Sequence, residues 1–167
     1  IMLDVIIALL PAAIYGCILF KWDAVFVLVT TIVTAVAAEA VWNLALHKKQ
    51  TIGDLSAVLT GLLLGMNLSS KTPLWIAAIG SVVAIIVVKQ MFGGIGHNFV
   101  NPALAARAFM LSSWPVAMTH WTLPFKAIDA VSAPTVLATV TPFGELPLIE
   151  NLFLGKMAGS IGETSAA

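Results

Sequence analysis

Two long apolar runs at the start of the chain limit what it can fold into. Leu3 to Phe20 is 18 residues with one charge, Asp4, at its edge. Ala24 to Leu46 is 23 residues with one charge, Glu39. Each fits the roughly 20 residues that a helix needs to span the hydrocarbon core of a bilayer. The rest of the chain agrees: 60% of its 167 residues are hydrophobic and 10% charged. Soluble domains are closer to one quarter charged, and a chain this apolar would present large greasy patches to water. The sequence therefore reads as an integral membrane protein, all-α and polytopic.

The charge pattern excludes several classes. Basic and acidic residues balance at 8 each, and no basic cluster tracks a nucleic-acid backbone. The single cysteine, Cys17, lies inside an apolar run and rules out an internal disulfide or a cysteine-held cluster. The sequence carries no catalytic triad, zinc set or P-loop. The first run is too long for a signal peptide and lacks a small-residue cleavage site.

Breaks in the apolar pattern organise the chain. Lys21-Trp22-Asp23 reads as a tight hairpin with an interfacial Trp, and His47-Lys48-Lys49-Gln50 as a basic loop. Two shorter runs follow, Leu55 to Leu68 and Leu74 to Val88, of the length of re-entrant or half-helices. Thr51-Ile52-Gly53-Asp54 matches a capping box, Pro73 suits a first helical position, and Lys89 is placed to snorkel to the interface. After the Gly-rich turn Gly93 to Asn98, Asn101-Pro102 predicts a fifth helix running to Ser113 or Met118. Thr119 to Pro147 reads as a long loop, and Asn151 to Met157 as an interfacial helix. With His47 to Gln50 cytoplasmic, the N-terminus and the Gly-rich turn are inside and residues 119–147 outside.

The expected organisation is a membrane repeat over 1–118, an extracytoplasmic loop over 119–150 and the start of a second repeat over 151–167. Gly53-Asp54-Leu55-Ser56-Ala57 echoes Gly162-Glu163-Thr164-Ser165-Ala166, as an inverted repeat with broken helices would. The chain starts at Ile1 and stops where a helix reads as beginning, which is what a piece of a longer protein would show.

Polar residues at membrane depth are the functional candidates, because charge there is costly. Glu39 reads either as an ion or proton ligand or cofactor partner, or as an acid paired with Lys48 or Asn43. Asp54 reads as a helix cap or an ion-path acid. Gly94 and Gly96 let backbone approach a ligand, and Asn98 and Asn101 offer amides suited to a flavin or quinone edge. Arg107 suits an anionic group, Glu39 or a backbone carbonyl. Thr135 reads as a turn or capping residue from composition.

The stretch Phe92-Gly93-Gly94-Ile95-Gly96-His97-Asn98-Phe99-Val100-Asn101-Pro102-Ala103-Leu104-Ala105-Ala106-Arg107-Ala108-Phe109 resembles the signature segment of one family of membrane subunits. Its members are the D subunit of the Rnf ion-translocating oxidoreductase and the B subunit of the sodium-pumping NADH:quinone reductase. Ser56 to Leu64, Trp114-Pro115, Met118-Thr119 and Gly162 to Ala166 extend the resemblance over nearly the whole chain, and the compact N-terminus is more similar to the Rnf subunit.

The resemblance implies a urea-transporter-like fold of two repeats of about five helices, some short or broken. It implies FMN joined by a phosphoester to Thr135, with Ser132 and Asp129 in the flavinylation motif, and a noncovalent riboflavin near Asn98, Asn101, Arg107, Gly94 and Gly96. Ala133 and Pro134 stand where the family has Gly and Ala, and proline restricts the backbone beside the acceptor. The implied partners are other Rnf-type membrane and peripheral subunits, membrane lipid and a flavin transferase. The implied location is a bacterial or archaeal cytoplasmic membrane. The implied function is a flavin-carrying subunit of a redox-driven pump of Na⁺ or H⁺, of ferredoxin/NAD type, with Glu39 and Asp54 as ion-path candidates. A solute channel or carrier, and a structural scaffold for partner subunits, are the competing readings.

Overall fold

The computed structural model describes residues 1–48, 50–98, 100–123, 155 and 158–163, with Ile52 by its backbone alone. The regular elements among them are all helical. The helix expected over Asn151 to Met157 lies outside the described residues apart from Gly155.

The first two apolar runs form one element, α1 (Met2–Ala45), broken at Lys21, whose backbone leaves the helical region at φ 55° and ψ −137°. A straight helix of 44 residues would run roughly 66 Å, more than twice the ~30 Å hydrocarbon core. The break divides it into two arms, each of spanning length. The expected three-residue hairpin is thus concentrated in one residue. Asp23 beside it pairs with Lys71 at 2.8 Å, which ties the break to the loop after the next helix.

The second arm shows why it packs as it does. Ala24, Val27, Leu28, Thr31, Ala35, Ala38, Glu39 and Asn43 are buried, a stripe at intervals of three and four residues. Phe26, Val29, Val33, Val41 and Leu44 lie exposed on the other side. A helix apolar on both sides does not face water. The stripe meets the core and the outer face meets lipid. Among the described residues α1 is the one helix long and apolar enough to cross a membrane.

A 3₁₀ turn over Ile52–Asp54 leads into α2 (Ser56–Met66). Two glycines set how closely α2 lies on α1. A Cβ at Gly61 would stand 2.7 Å from Ile32 Cα and 2.8 Å from Thr31 O. A Cβ at Gly65 would stand 2.6 Å from Thr31 Oγ1. Small residues spaced by four let membrane helices approach backbone to backbone. The later segment 158–163 closes over the far end of α2, where Ile161 N donates to Leu68 O at 3.0 Å and Gly162 N to Met66 O at 2.9 Å.

The next helix, α3 (Leu74–Val82), continues as a π-helix over Val83–Gln90. Pro73 takes the N-cap position, one residue before the expected first turn. A π-turn holds more residues than an α-turn, so neighbours along the chain lie closer in angle. Val88, Lys89 and Gln90 are consecutively buried at its end. Lys89 therefore does not snorkel outward as its position at the end of an apolar run suggests; it is 3% exposed.

The Gly-rich turn carries positive φ at Gly94 (97°) and Gly96 (83°), conformations that side chains resist. It delivers the chain to α4 (Pro102–Ser113), capped as expected: Asn101 Oδ1 accepts from Ala103 N at 3.0 Å. Trp114 interrupts, with φ −134°, because Pro115 disfavours the helical region for the residue before it. A short α5 (Pro115–Thr119) follows. The fifth helix thus ends at the nearer of its two expected limits.

Gly61→Leu should separate α1 from α2, since the nearest obstacle is backbone that cannot rotate away. The expected loss is at least the ~1–3 kcal/mol of an overpacked core. It would be read as a lower melting temperature of the full-length subunit in detergent.

Candidate functional site: a buried ion pair beneath a polar cleft

The C-terminal end of the second arm of α1 holds a concentration of buried polar groups. Glu39 is fully buried, at 0% exposure. Its Oε1 accepts from Lys89 Nζ at 2.8 Å, from Gln90 Nε2 at 2.9 Å and from Thr51 Oγ1 at 2.7 Å. Thr51 Oγ1 in turn accepts from Asn43 Nδ2 at 3.0 Å. The π-helix supplies two of these donors, α1 supplies Glu39 and Asn43, and the connection between α1 and α2 supplies Thr51.

Lys89 has a second acceptor. Its Nζ donates to Ser56 Oγ, and that hydroxyl donates to Asp54 Oδ1 at 2.7 Å. Asp54 Oδ1 also accepts from Ser56 N at 3.0 Å, the first residue of α2. The ammonium thus lies between two carboxylates, one in direct contact and one reached through a hydroxyl. Three donors crowd onto Glu39 Oε1, while Oε2 is buried with no hydrogen-bond partner among the described residues. A buried carboxylate oxygen without a donor is costly, by ~1–3 kcal/mol or more.

Above this network opens a cleft of about 220 Å³. Glu39, Asn43, Thr51, Asp54, Lys89 and Gln90 line it, with Lys48, Gly93, Gly94 and Ile95.

Several sequence expectations change here. Glu39 pairs with neither Lys48, Asn43 nor Arg107 but with Lys89, 50 residues on. The Thr51 capping box does not form: its hydroxyl goes to Glu39, and Asp54 carries the cap onto Ser56. Asp54 and Glu39 do meet at one site, and Gly94 joins them. Lys89, Gln90, Thr51 and Ser56 were not among the expected site residues. The available signal was the lysine–glutamine pair closing an otherwise apolar run, opposite in sign to the lone acid of another.

The residues read as flavin-contacting are disposed differently. Asn98 Nδ2 donates to Val100 O at 3.0 Å, and Asn101 caps α4. Arg107 Nη1 donates to Asn67 Oδ1 at 2.7 Å, joining α4 to the end of α2. These three residues do not line the cleft at Glu39. Among the described residues nothing lies within 4 Å of a Cβ placed on Gly94 or Gly96. Asp129, Ser132 and Thr135 lie outside the described residues.

A family model described as NQR2, RnfD, RnfE matches residues 1–167. The chain belongs to this NQR2, RnfD, RnfE family. It is 46% identical over 170 residues to the D subunit of the Na⁺-translocating ferredoxin:NAD⁺ oxidoreductase complex of Acetobacterium woodii, covering 99% of this chain and 53% of that protein. It is 43% identical over 176 residues to the D subunit of the proton-translocating ferredoxin:NAD⁺ oxidoreductase complex of Clostridium ljungdahlii, with the same coverage of 99% and 53%. The D subunit of an ion-translocating oxidoreductase complex of Rhodobacter capsulatus is 35% identical over 196 residues, covering 98% of this chain and 55% of that protein. The chain thus spans about half the length of these curated relatives. As an NQR2/RnfD/RnfE member with long apolar helical arms, it is a membrane protein.

Glu39→Gln should strand the Lys89 ammonium beside a neutral amide and cost ~3–5 kcal/mol, the penalty for breaking a buried pair from one side. Glu39→Gln with Lys89→Gln removes both charges and should recover most of that loss. Thermal melting of the wild type, the single and the double variant would check the order.

Proposed function

We propose that the chain is the first half of a flavin-carrying membrane subunit of a redox-driven ion-translocating complex, with Glu39 and Asp54 on the ion path. The observation that carries this reading is the buried, half-satisfied carboxylate of Glu39 under a polar cleft, in a chain whose relatives are named for moving Na⁺ or protons. A charge kept inside an apolar protein is expensive. Glu39 Oε2 has no hydrogen-bond partner among the described residues, which leaves it acceptor capacity for a cation.

In this reading the subunit works with other membrane and peripheral subunits of an Rnf-type complex in the bacterial or archaeal cytoplasmic membrane, exchanging electrons of ferredoxin/NAD type. The N-terminus is inside and residues 119–147 outside. The fold is the first of two urea-transporter-like repeats, 1–118, followed by the loop 119–150 and the start of the second repeat, 151–167. The discontinuous helices support that reading: α1 breaks at Lys21, α3 turns π, and α4 stops at Trp114.

FMN on Thr135, attached by a flavin transferase that reads Asp129 and Ser132, would supply the one- and two-electron chemistry. The chain's described residues do other work: α1, α2 and the π-helix hold a negative site away from water, and Thr51, Gln90 and Lys89 fix the Glu39 rotamer by hydrogen bonding. A noncovalent riboflavin near Asn98, Asn101, Arg107, Gly94 and Gly96 is part of the same reading. It requires the amides of Asn98 and Asn101 to exchange their present local bonds for ligand bonds.

A colourless protein would favour the solute-channel reading, which the polar cleft and broken helices also suit. Mass spectrometry across residues 127–147 separates the two. The expected result is a peptide carrying the mass of FMN on Thr135, lost in Thr135→Ala together with in-gel flavin fluorescence. An unmodified wild-type peptide would sink the flavin reading.

A further inference from the structure

Lys89 is more than the partner of Glu39. Lys89 links a buried carboxylate, Glu39, to an exposed one, Asp54. Among the described residues Lys48, at the exposed rim, is the remaining charged group lining the cleft. The ammonium sits where an ion bound to Glu39 would sit, and it has a second place to go, toward Asp54 through Ser56 Oγ. Its stem leaves the last turn of a π-helix, a geometry frequent at functional sites. Glu39 Oε2 is buried and has no hydrogen-bond partner among the described residues.

We propose that Lys89 is the resident, tethered cation of an exchange site. A monovalent cation entering from the cleft takes Glu39, with Oε2 as its first contact and Thr51 and Asn43 as neutral oxygen donors within the network. Lys89 Nζ then gives up Glu39 Oε1 and turns toward Ser56 and Asp54. When the cation leaves, the ammonium returns. The site never holds an uncompensated buried carboxylate, and it never holds two cations at one carboxylate. This exchange makes ion entry conditional on lysine movement, which separates a pump from a leak. The same chemistry serves Na⁺ or a proton, since either neutralises Glu39.

The inference rests on the ion-path reading of Glu39, and its test keeps the two apart. The full-length subunit is assembled in its complex and reconstituted in proteoliposomes, and redox-driven uptake of ²²Na⁺ and of protons is followed against external Na⁺ and pH. Lys89→Gln removes the competing internal cation. Apparent KM for the transported ion should fall about tenfold, and the ion should leak down its gradient without redox substrate. Asp54→Asn removes the second resting place, so Lys89 stays on Glu39 and KM should rise about tenfold. Opposite shifts from two residues of one network are not what a structural brace produces.

Na⁺-dependent shifts identify Na⁺ as the exchanged ion, and shifts in pH midpoint alone identify the proton. Asp54 is exposed, so its variant remains decisive if Lys89→Gln fails to assemble. Wild-type pumping with KM unchanged in Asp54→Asn, or with KM unchanged and no leak in an assembled Lys89→Gln, overturns the exchange role alone. A wild-type complex that transfers electrons and moves neither ion overturns the ion-path reading itself.

Discussion

The structure is organised around one requirement: a carboxylate and an ammonium have been taken out of water together. Glu39 at 0% exposure and Lys89 at 3% each carry a desolvation cost of several kcal/mol, offset only if their contact geometry is good. That demand reaches far along the chain. α1 must end close to where the π-helix ends, and the connection through Thr51 must fold back over both. Ser56 must open α2 within reach of Lys89. One pair thus constrains the end of α1, the connection after it, the start of α2 and the end of the π-helix.

Close helix packing makes the arrangement possible. Gly61 and Gly65 bring α2 against the Thr31 region of α1, and Gly80 on α3 leaves room for Met110 Sδ of α4. Such contacts substitute for the hydrophobic driving force, which is absent between helices in lipid. The π-stretch then aims the polar end of α3 inward. With ordinary α-turns, Val88, Lys89 and Gln90 would spread over more of the helix circumference than they do here. A wide turn in a helix is frequently found at functional sites, and here it delivers two donors to one carboxylate oxygen.

The network also joins the two acids read independently as ion-path candidates. Glu39 and Asp54 are 15 positions apart and lie on different elements, yet Ser56 and Lys89 connect them in three hydrogen bonds. Membership of the NQR2, RnfD, RnfE family gives that arrangement its context. The asparagines of the signature segment, by contrast, are engaged locally: Asn98 with Val100 and Asn101 with the first turn of α4. The signature segment and the buried ion pair are separate features that share the Gly-rich turn.

The sequence by itself determined the membrane environment, the apolar helical runs and the polar candidates. Apolar run length and the Asn101-Pro102 cap are local properties, set by residues within a turn or two of each other. It also singled out Glu39 as anomalous, because the cost of a charge in an apolar run depends on the run alone. It did not reveal the partner. Lys89 lies 50 residues from Glu39, and the apolar run before it suggested an outward-facing side chain. Its inward direction comes from the π-turns and from glycine-controlled helix spacing, both consequences of packing among α1, α2 and α3. Local chemistry told where the charges are; only the tertiary structure decided which of them share a low-dielectric site, because that depends on distances between segments and not on either segment's composition.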